Sequence, residues 1–230
     1  MINNKILKNK SGFLLLNKPK GPTSFDMVYK LRKITGIKKI GHAGTLDPFA
    51  SGLLIMAIGR EATKQISKYV KLDKEYIATL KLGATSTTHD PEGKIKENKN
   101  YEYPSRKKIE NVLKNFLGKQ EQIPPMFSAK KIKGKRLYDL ARKGIEIKRE
   151  AVNIDIKNIE LLEYEWPNLR IKVSVSSGTY IRVLAFDIGE VLKTGAYLSK
   201  LKRTKIGKFK LDEAVLIESL REDDWDKFLI

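Results

Sequence analysis

Hydrophobic and polar positions along the chain predict most of its elements. Phe13–Asn17 is a short apolar run that stops at a Pro-Lys-Gly-Pro turn, so it reads as a strand ending in a loop. Thr23 and Asp26 form a capping-box pattern, and Met27, Val28, Leu31 and Ile34 then repeat at helical spacing until Gly36. The Gly/Pro-rich stretch GHAGTLDPFASG, residues 41–52, precedes Leu53–Ile58, a candidate buried strand. Glu75–Leu82 alternates, with Tyr76, Ala78, Leu80 and Leu82 on one face. Residues 83–104 are polar and punctuated by Pro and Gly, as in a long loop or irregular hairpin. Ser105–Gly118 reads as an amphipathic helix through Ile109, Val112, Leu113 and Phe116, with Gly118 as its stop.

Two further alternating strands run through Val152, Ile154 and Ile156, and through Leu169, Ile171, Val173 and Val175. Ser177-Gly178-Thr179 leads into a helix whose inner face is expected to carry Ile181, Leu184, Ile188, Val191 and Leu192. Strands and helices mix without strict βαβ alternation, which predicts an α+β fold with a mixed, mainly antiparallel sheet. Its 230 residues suffice for one sizeable core. The longest apolar run is six residues, far below the roughly 20 of a membrane helix. The start, MINNKILKNK, has no continuous apolar segment, so no secretory leader is expected.

Composition narrows the function. There is no cysteine, and His42 and His89 are the only imidazoles, so disulfides, thiolate zinc sites and His-built metal centres are not expected. A cytoplasmic, metal-free protein is expected. The net charge is +19. Residues 211–230 hold two cations against seven carboxylates, a net −5, which leaves 44 cations and 20 carboxylates, a net +24, on residues 1–210. Such an excess stores self-repulsion and suits a polyanionic partner. The densest stretch is Ser128–Arg149, where nine cations, Lys130, Lys131, Lys133, Lys135, Arg136, Arg142 and Lys143 among them, meet Asp139 and Glu146. Gly134 and Gly144 interrupt it too often for a helix lying on a membrane, so nucleic acid is favoured over lipid.

Common enzyme motifs are missing: there is no P-loop, no dinucleotide fingerprint, no HExxH and no GxSxG. What remains is Asp47, set between Leu46 and Pro48 in a glycine-rich loop. A carboxylate on a stiff loop can act as nucleophile, base or metal ligand, yet by itself an Asp there is far more often an ordinary turn-former.

The string GHAGTLDPFASGLL closely resembles the motif around the catalytic aspartate of the TruB-type tRNA pseudouridine synthases. Four other segments resemble that family in the same order: LLLNKPKGPTSFDMV, KEYIATLKLGATSTTHDPEG, IPPMFSAKKIKGKRLYDLARKG and VSVSSGTYIRVLAFDIGEVLKTGAYLSKLKRTKIGKF. The resemblance covers roughly residues 12–210 and implies the pseudouridine synthase fold with flanking helices. It implies isomerisation of a uridine in the tRNA T-loop, position 55, with no cofactor and no metal. The base is detached from C1′, rotated and rejoined through C5. Asp47 matches the essential aspartate, acting on C1′ or at the sugar. Tyr76 matches the aromatic residue against the target base, Tyr180 a pocket residue and Arg182 the arginine paired with the aspartate. Leu201 matches a pocket wall, and His42 a histidine beside the flipped nucleotide.

The basic segment, about 121–150, matches a flap that grips the T-loop. Lys130, Lys131, Lys133, Lys135, Arg136, Arg142 and Lys143 are its candidate phosphate contacts. Residues 1–210 are then the catalytic domain, and 211–230 an acidic tail where family members commonly continue into a small RNA-binding domain, which looks absent or cut off. The expected partner is the T-arm of tRNA, bound by a monomer and without a membrane. Two alternatives stay open: a pseudouridine synthase directed by guide RNA, and a non-catalytic tRNA-folding protein.

Overall fold

The computed structural model describes residues 10–128, 131–132, 135–141 and 144–230. Its first elements are β1 (Gly12–Lys18), α1 (Ser24–Thr35), β2 (Ile40–His42), β3 (Ser51–Ile58), α2 (Arg60–Lys64), α3 (Ser67–Val70) and β4 (Lys74–Leu82). Then come β5 (Ala84–Ser86), β6 (Ile95–Glu97), α4 (Arg106–Asn115), β7 (Gly118–Gln122), β8 (Lys131–Ile132), β9 (Lys135–Arg136) and α5 (Leu137–Ala141). β10 (Val152–Glu165), β11 (Asn168–Val175), α6 (Ile181–Leu192), β12 (Ala196–Ile206), β13 (Phe209–Lys210) and β14 (Val215–Leu216) complete the series. These form two compact units, Met1–Tyr76 with Lys202–Ile230, and Ile77–Leu201.

In the first unit β1 and β3 pair antiparallel over their full lengths, from Gly12 opposite Ile58 to Lys18 opposite Gly52. β2 pairs antiparallel with β3, β14 runs parallel to β1, and β12 runs parallel to β3 through Lys202–Ser51 and Arg203–Gly52. Both faces of β1 and β3 are covered, which is why Leu53–Ile58 reads as an unbroken apolar run. Met27, Val28 and Leu31 of α1 close one face together with Ile217, Leu220 and Trp225. Ala62 and Ile206 close the other, flanked by Ile66, Tyr69 and Leu72. The start of α1 is the predicted capping box: Thr23 accepts from the Asp26 N–H, and the Asp26 carboxylate accepts from the Thr23 N–H. Gly36 closes the helix at φ 68°.

Residues 211–230 are more than an acidic tail. β14 extends the sheet, the Ile230 N–H donates to the Phe13 carbonyl, and Trp225 is 0% exposed. Most of their charges face solvent, Asp226 pairs with Lys10, and their few apolar side chains complete the core, so net charge alone could not reveal the packing.

In the second unit the strand order is β4–β11–β10–β7, with β10 antiparallel to both β11 and β7. β10 runs 14 residues, well beyond the expected Ile156, because register shifts between Ile156 and Asn158 and between Leu161 and Glu163 scramble its alternation. α4 packs on β10 and α6. It ends at Asn115 with Phe116 as its cap, and Gly118, at φ 93°, opens β7 instead of stopping the helix. On α6, Val191 is 51% exposed and not on the inner face. Ala185 and Gly189 are buried instead, and a Cβ on Gly189 would lie 2.2 Å from the Ala196 nitrogen, so close backbone packing rotates the buried side away from Val191. β5 and β6 form the irregular hairpin expected within 83–104. The architecture is α+β with a mixed, mainly antiparallel sheet.

Replacing Trp225 with Ala empties a fully buried site between α1 and β1–β3. The expected loss is about 3–5 kcal/mol of unfolding free energy, read from urea denaturation. A loss below about 1 kcal/mol would mean that these last residues are not part of the core.

Candidate active site

Asp47 lies on the half-buried loop between β2 and β3, and the loop is fixed from three sides. Ser24, the buried first residue of α1, donates its hydroxyl to the Leu46 carbonyl (3.1 Å) and accepts from the Leu46 N–H (2.9 Å). The Gly21 N–H donates to the Pro48 carbonyl (2.8 Å). Arg203, 1% exposed, donates from Nε to the Leu53 carbonyl (2.7 Å) and from Nη2 to the Gly44 carbonyl (3.1 Å). Gly52 lets β12 approach: it sits at φ 108°, and a Cβ there would stand 2.3 Å from the Arg203 carbonyl oxygen. Asp47 is thus presented by a scaffold of backbone hydrogen bonds and a buried guanidinium.

Two buried lysines flank this loop. Lys18, at the end of β1, donates to the carbonyls of Pro19 (2.9 Å) and Pro22 (2.7 Å). Burial pushes its ammonium down to about 8; the Asp47 charge pulls it back up, Arg203 depresses it further and Asp26 raises it. Lys74, at the start of β4, donates to the carbonyls of Val70 and Leu72, both at 2.6 Å. Burial lowers it to about 8 as well, with Arg203 adding to the fall and Asp73 opposing it. Tyr76 is buried on the same face of β4, two residues on. His42 ends β2, and burial, then the Arg203 charge, hold its imidazole below the usual range, so it is neutral at pH 7. His42, Asp47 and Tyr76 therefore share the first unit with Lys18, Lys74 and Arg203, three cations that residue type alone did not single out.

Tyr180, Arg182 and Leu201 belong to the second unit. Tyr180 caps α6, and the buried Gln122 at the end of β7 clamps its backbone, accepting from the N–H (2.8 Å) and donating to the carbonyl (3.1 Å). Leu201 is buried in β12. Arg182 is buried and ion-paired with Asp90 at 3.0 Å, and it donates to the Phe127 carbonyl (2.8 Å). The other Asp90 oxygen accepts from the Thr88 hydroxyl (2.5 Å) and the Glu92 N–H (3.0 Å). Asp90 is a site group that the sequence alone did not single out, since THDPEG reads as a turn. His89 beside it adopts φ 63°, a left-handed conformation uncommon for a side-chain-bearing residue. Its ring packs tilted against Phe186 at 4.3 Å between centroids, and burial, reinforced by Arg182, lowers its pKa.

A cavity of about 360 Å³ opens beside this turn, lined by Thr87, His89, Met126, Phe127, Ile145 and Arg149. Part of the basic segment forms its wall. β8 and β9 pair as a hairpin, Lys131 opposite Arg136, and the Tyr138 N–H donates to the Ser128 carbonyl. Lys130, Lys133, Arg142 and Lys143 lie outside the described residues.

The TruB family pseudouridylate synthase N-terminal domain model matches residues 32–181, and the tRNA pseudouridylate synthase B C-terminal domain model matches residues 182–227. The tRNA pseudouridine synthase B of Protochlamydia amoebophila is 49% identical over 204 residues, covering 89% of this chain and 77% of its own. That of Desulfotalea psychrophila is 48% identical over 225 residues, covering 95% and 92%. Among solved structures, a Cbf5-Nop10-Gar1 complex superposes with a TM-score of 0.73 at 31% identity, covering 95% of this chain and 55% of that one. An archaeal box H/ACA sRNP Nop10-Cbf5 complex gives 0.69 at 28% identity, with coverages of 98% and 58%. The chain spans just over half of each solved chain.

Two outcomes follow from this geometry. Asp90→Ala removes the carboxylate that Arg182 Nη1 and the Thr88 hydroxyl bond, and a loss of about 1.5–3 kcal/mol is expected in chemical denaturation. Lys74 carries a folded pKa near 8 against about 10.4 unfolded, so between those values the unfolded chain holds more protons and stability rises with pH. Below pH 8 both states are protonated and the effect is flat. The wild type should therefore gain stability over Lys74→Met between pH 8 and 10; a relative loss there would contradict the assignment.

Proposed function

The chain belongs to the TruB family of pseudouridylate synthases, and from that premise we propose that it converts uridine 55 in the T-loop of tRNA to pseudouridine, with Asp47 as the essential group. The observation that carries this reading is the placement of Asp47, on a loop held by Ser24, Gly21 and Arg203 within the GHAGTLDPFASG motif. The reaction breaks the bond from N1 to C1′, joins C5 to C1′, moves the C5 proton to solvent and returns a proton to N1. Atoms balance without an external reactant. Both attack at C1′ and proton abstraction at the sugar are carboxylate chemistry, and Asp47 is the carboxylate of this loop.

The target base is buried in a folded loop, so extruding it costs a few kcal/mol. Phosphate contacts from the basic segment are the proposed source of that energy, which fits the +24 of residues 1–210. The cavity beside His89 and Phe127 lies against this segment and falls within the size range of small-molecule pockets. Identity of 48–49% to proteins named tRNA pseudouridine synthase B, against 28–31% to Cbf5 chains, supports a stand-alone enzyme over a guide-dependent one. We propose a monomer that recognises the T-arm by itself.

An unmodified T-arm stem-loop incubated with the purified protein is expected to yield pseudouridine, also after EDTA treatment in monovalent salt. Asp47→Asn keeps the shape of the side chain but removes its charge, so turnover should fall by at least about 10³-fold with RNA affinity retained. Substantial residual product from this variant would refute the role of Asp47.

A further inference from the structure

α1 turns Met27, Val28 and Leu31 into the core and leaves a stripe of another kind outside. Phe25 is 60% exposed and Tyr29 is 54% exposed, four residues apart and therefore adjacent on the helix surface. Each ring carries a cation: the Arg32 guanidinium lies 5.7 Å from the Phe25 centroid and the Lys33 ammonium 4.7 Å from that of Tyr29. The stripe from Phe25 to Lys33 is about 12 Å long at 1.5 Å per residue, the length of three or four phosphates of a helical strand at ~3.4 Å each.

Along the chain its flanks are poor in anions, although Glu218 belongs to the segment 217–219 that packs against α1. Asp26 is the only carboxylate among residues 1–46, against ten Lys and Arg, and its carboxylate is bonded by the Thr23 N–H and hydroxyl. The stripe also begins beside the catalytic loop. Ser24, which holds Leu46 next to Asp47, is the immediate neighbour of Phe25.

We infer that Phe25, Tyr29, Arg32 and Lys33 form a second RNA-binding surface, on which bases of the substrate flanking the target uridine stack while the cations meet their phosphates. This inference rests on the RNA substrate proposed above. Aromatic rings interleaved with cations are the usual platform for unpaired bases, since every base offers a π-face. A second copy of the chain is disfavoured because two such cationic faces repel each other. An acidic protein would satisfy the cations but would leave both rings without a stacking partner.

The test compares RNA affinity and its salt dependence across variants, with the T-arm stem-loop as probe. Phe25→Ala/Tyr29→Ala removes two exposed rings in favour of a good helix former, and thermal melting checks that the fold is kept. Its Kd should rise by at least about fivefold, the lower end for one stacked base, with the slope of log K against log salt unchanged. Arg32→Gln/Lys33→Gln should reduce that slope by about 0.7–0.9 per lost phosphate contact. Phe25→Trp should restore affinity where Ala loses it, and its added fluorescence should be quenched on RNA binding. An unchanged Kd in the double Ala variant overturns the inference, and a change in self-association at unchanged Kd assigns the stripe to a second copy. If the wild type neither binds nor modifies the stem-loop, the RNA assignment itself fails; if it does both and the double variant matches it, only the stripe fails.

Discussion

The buried guanidinium of Arg203 is the interaction on which the Asp47 loop depends. It is reached through the backbone of β12, which touches β3 only because residue 52 has no side chain. From there Nε and Nη2 satisfy the carbonyls of Leu53 and Gly44, on either side of Asp47 in the chain. Removing a guanidinium from water costs several kcal/mol, so the position is stable only while its donors are used. A lysine in its place would present a point charge instead of a fork and could not span both carbonyls in the same way.

The remaining supports follow one logic: a short polar side chain grips both backbone groups of a residue next to the chemistry. Ser24 does this to Leu46, beside Asp47, and Gln122 does it to Tyr180, two residues before Arg182. Such clamps leave the functional side chains to the substrate and take the positioning from groups that are buried and satisfied. Asp90 plays the matching part for Arg182, with Thr88 and Glu92 completing its own hydrogen bonds.

Electrostatics then separates two kinds of cation. Lys18, Lys74 and Arg203 are buried and hydrogen-bonded to carbonyls, and the two lysines surrender protons more readily than they would in water. The exposed lysines and arginines instead create the positive field at the surface, which suits a polyanion. The first kind builds the site, while the second sets the field around it.

Local pattern sufficed for the elements whose rules are local. The Thr23–Asp26 cap, the Gly36 stop, the alternation of Glu75–Leu82 and the doubly covered run Leu53–Ile58 are all written in spacing, and the five ordered motifs carried the family. What spacing could not hold was anything decided by a distant neighbour. Val191 turned outward because Gly189 packs on Ala196, β10 outran its alternation through register shifts, and the acidic residues 211–230 placed Trp225 in the core. Lys18, Asp90, Gln122 and Arg203 look like ordinary polar residues along the chain. Their roles rest on distant carbonyls and charges, Arg203 and Gly44 lying 159 positions apart, and only the folded chain brings those into reach.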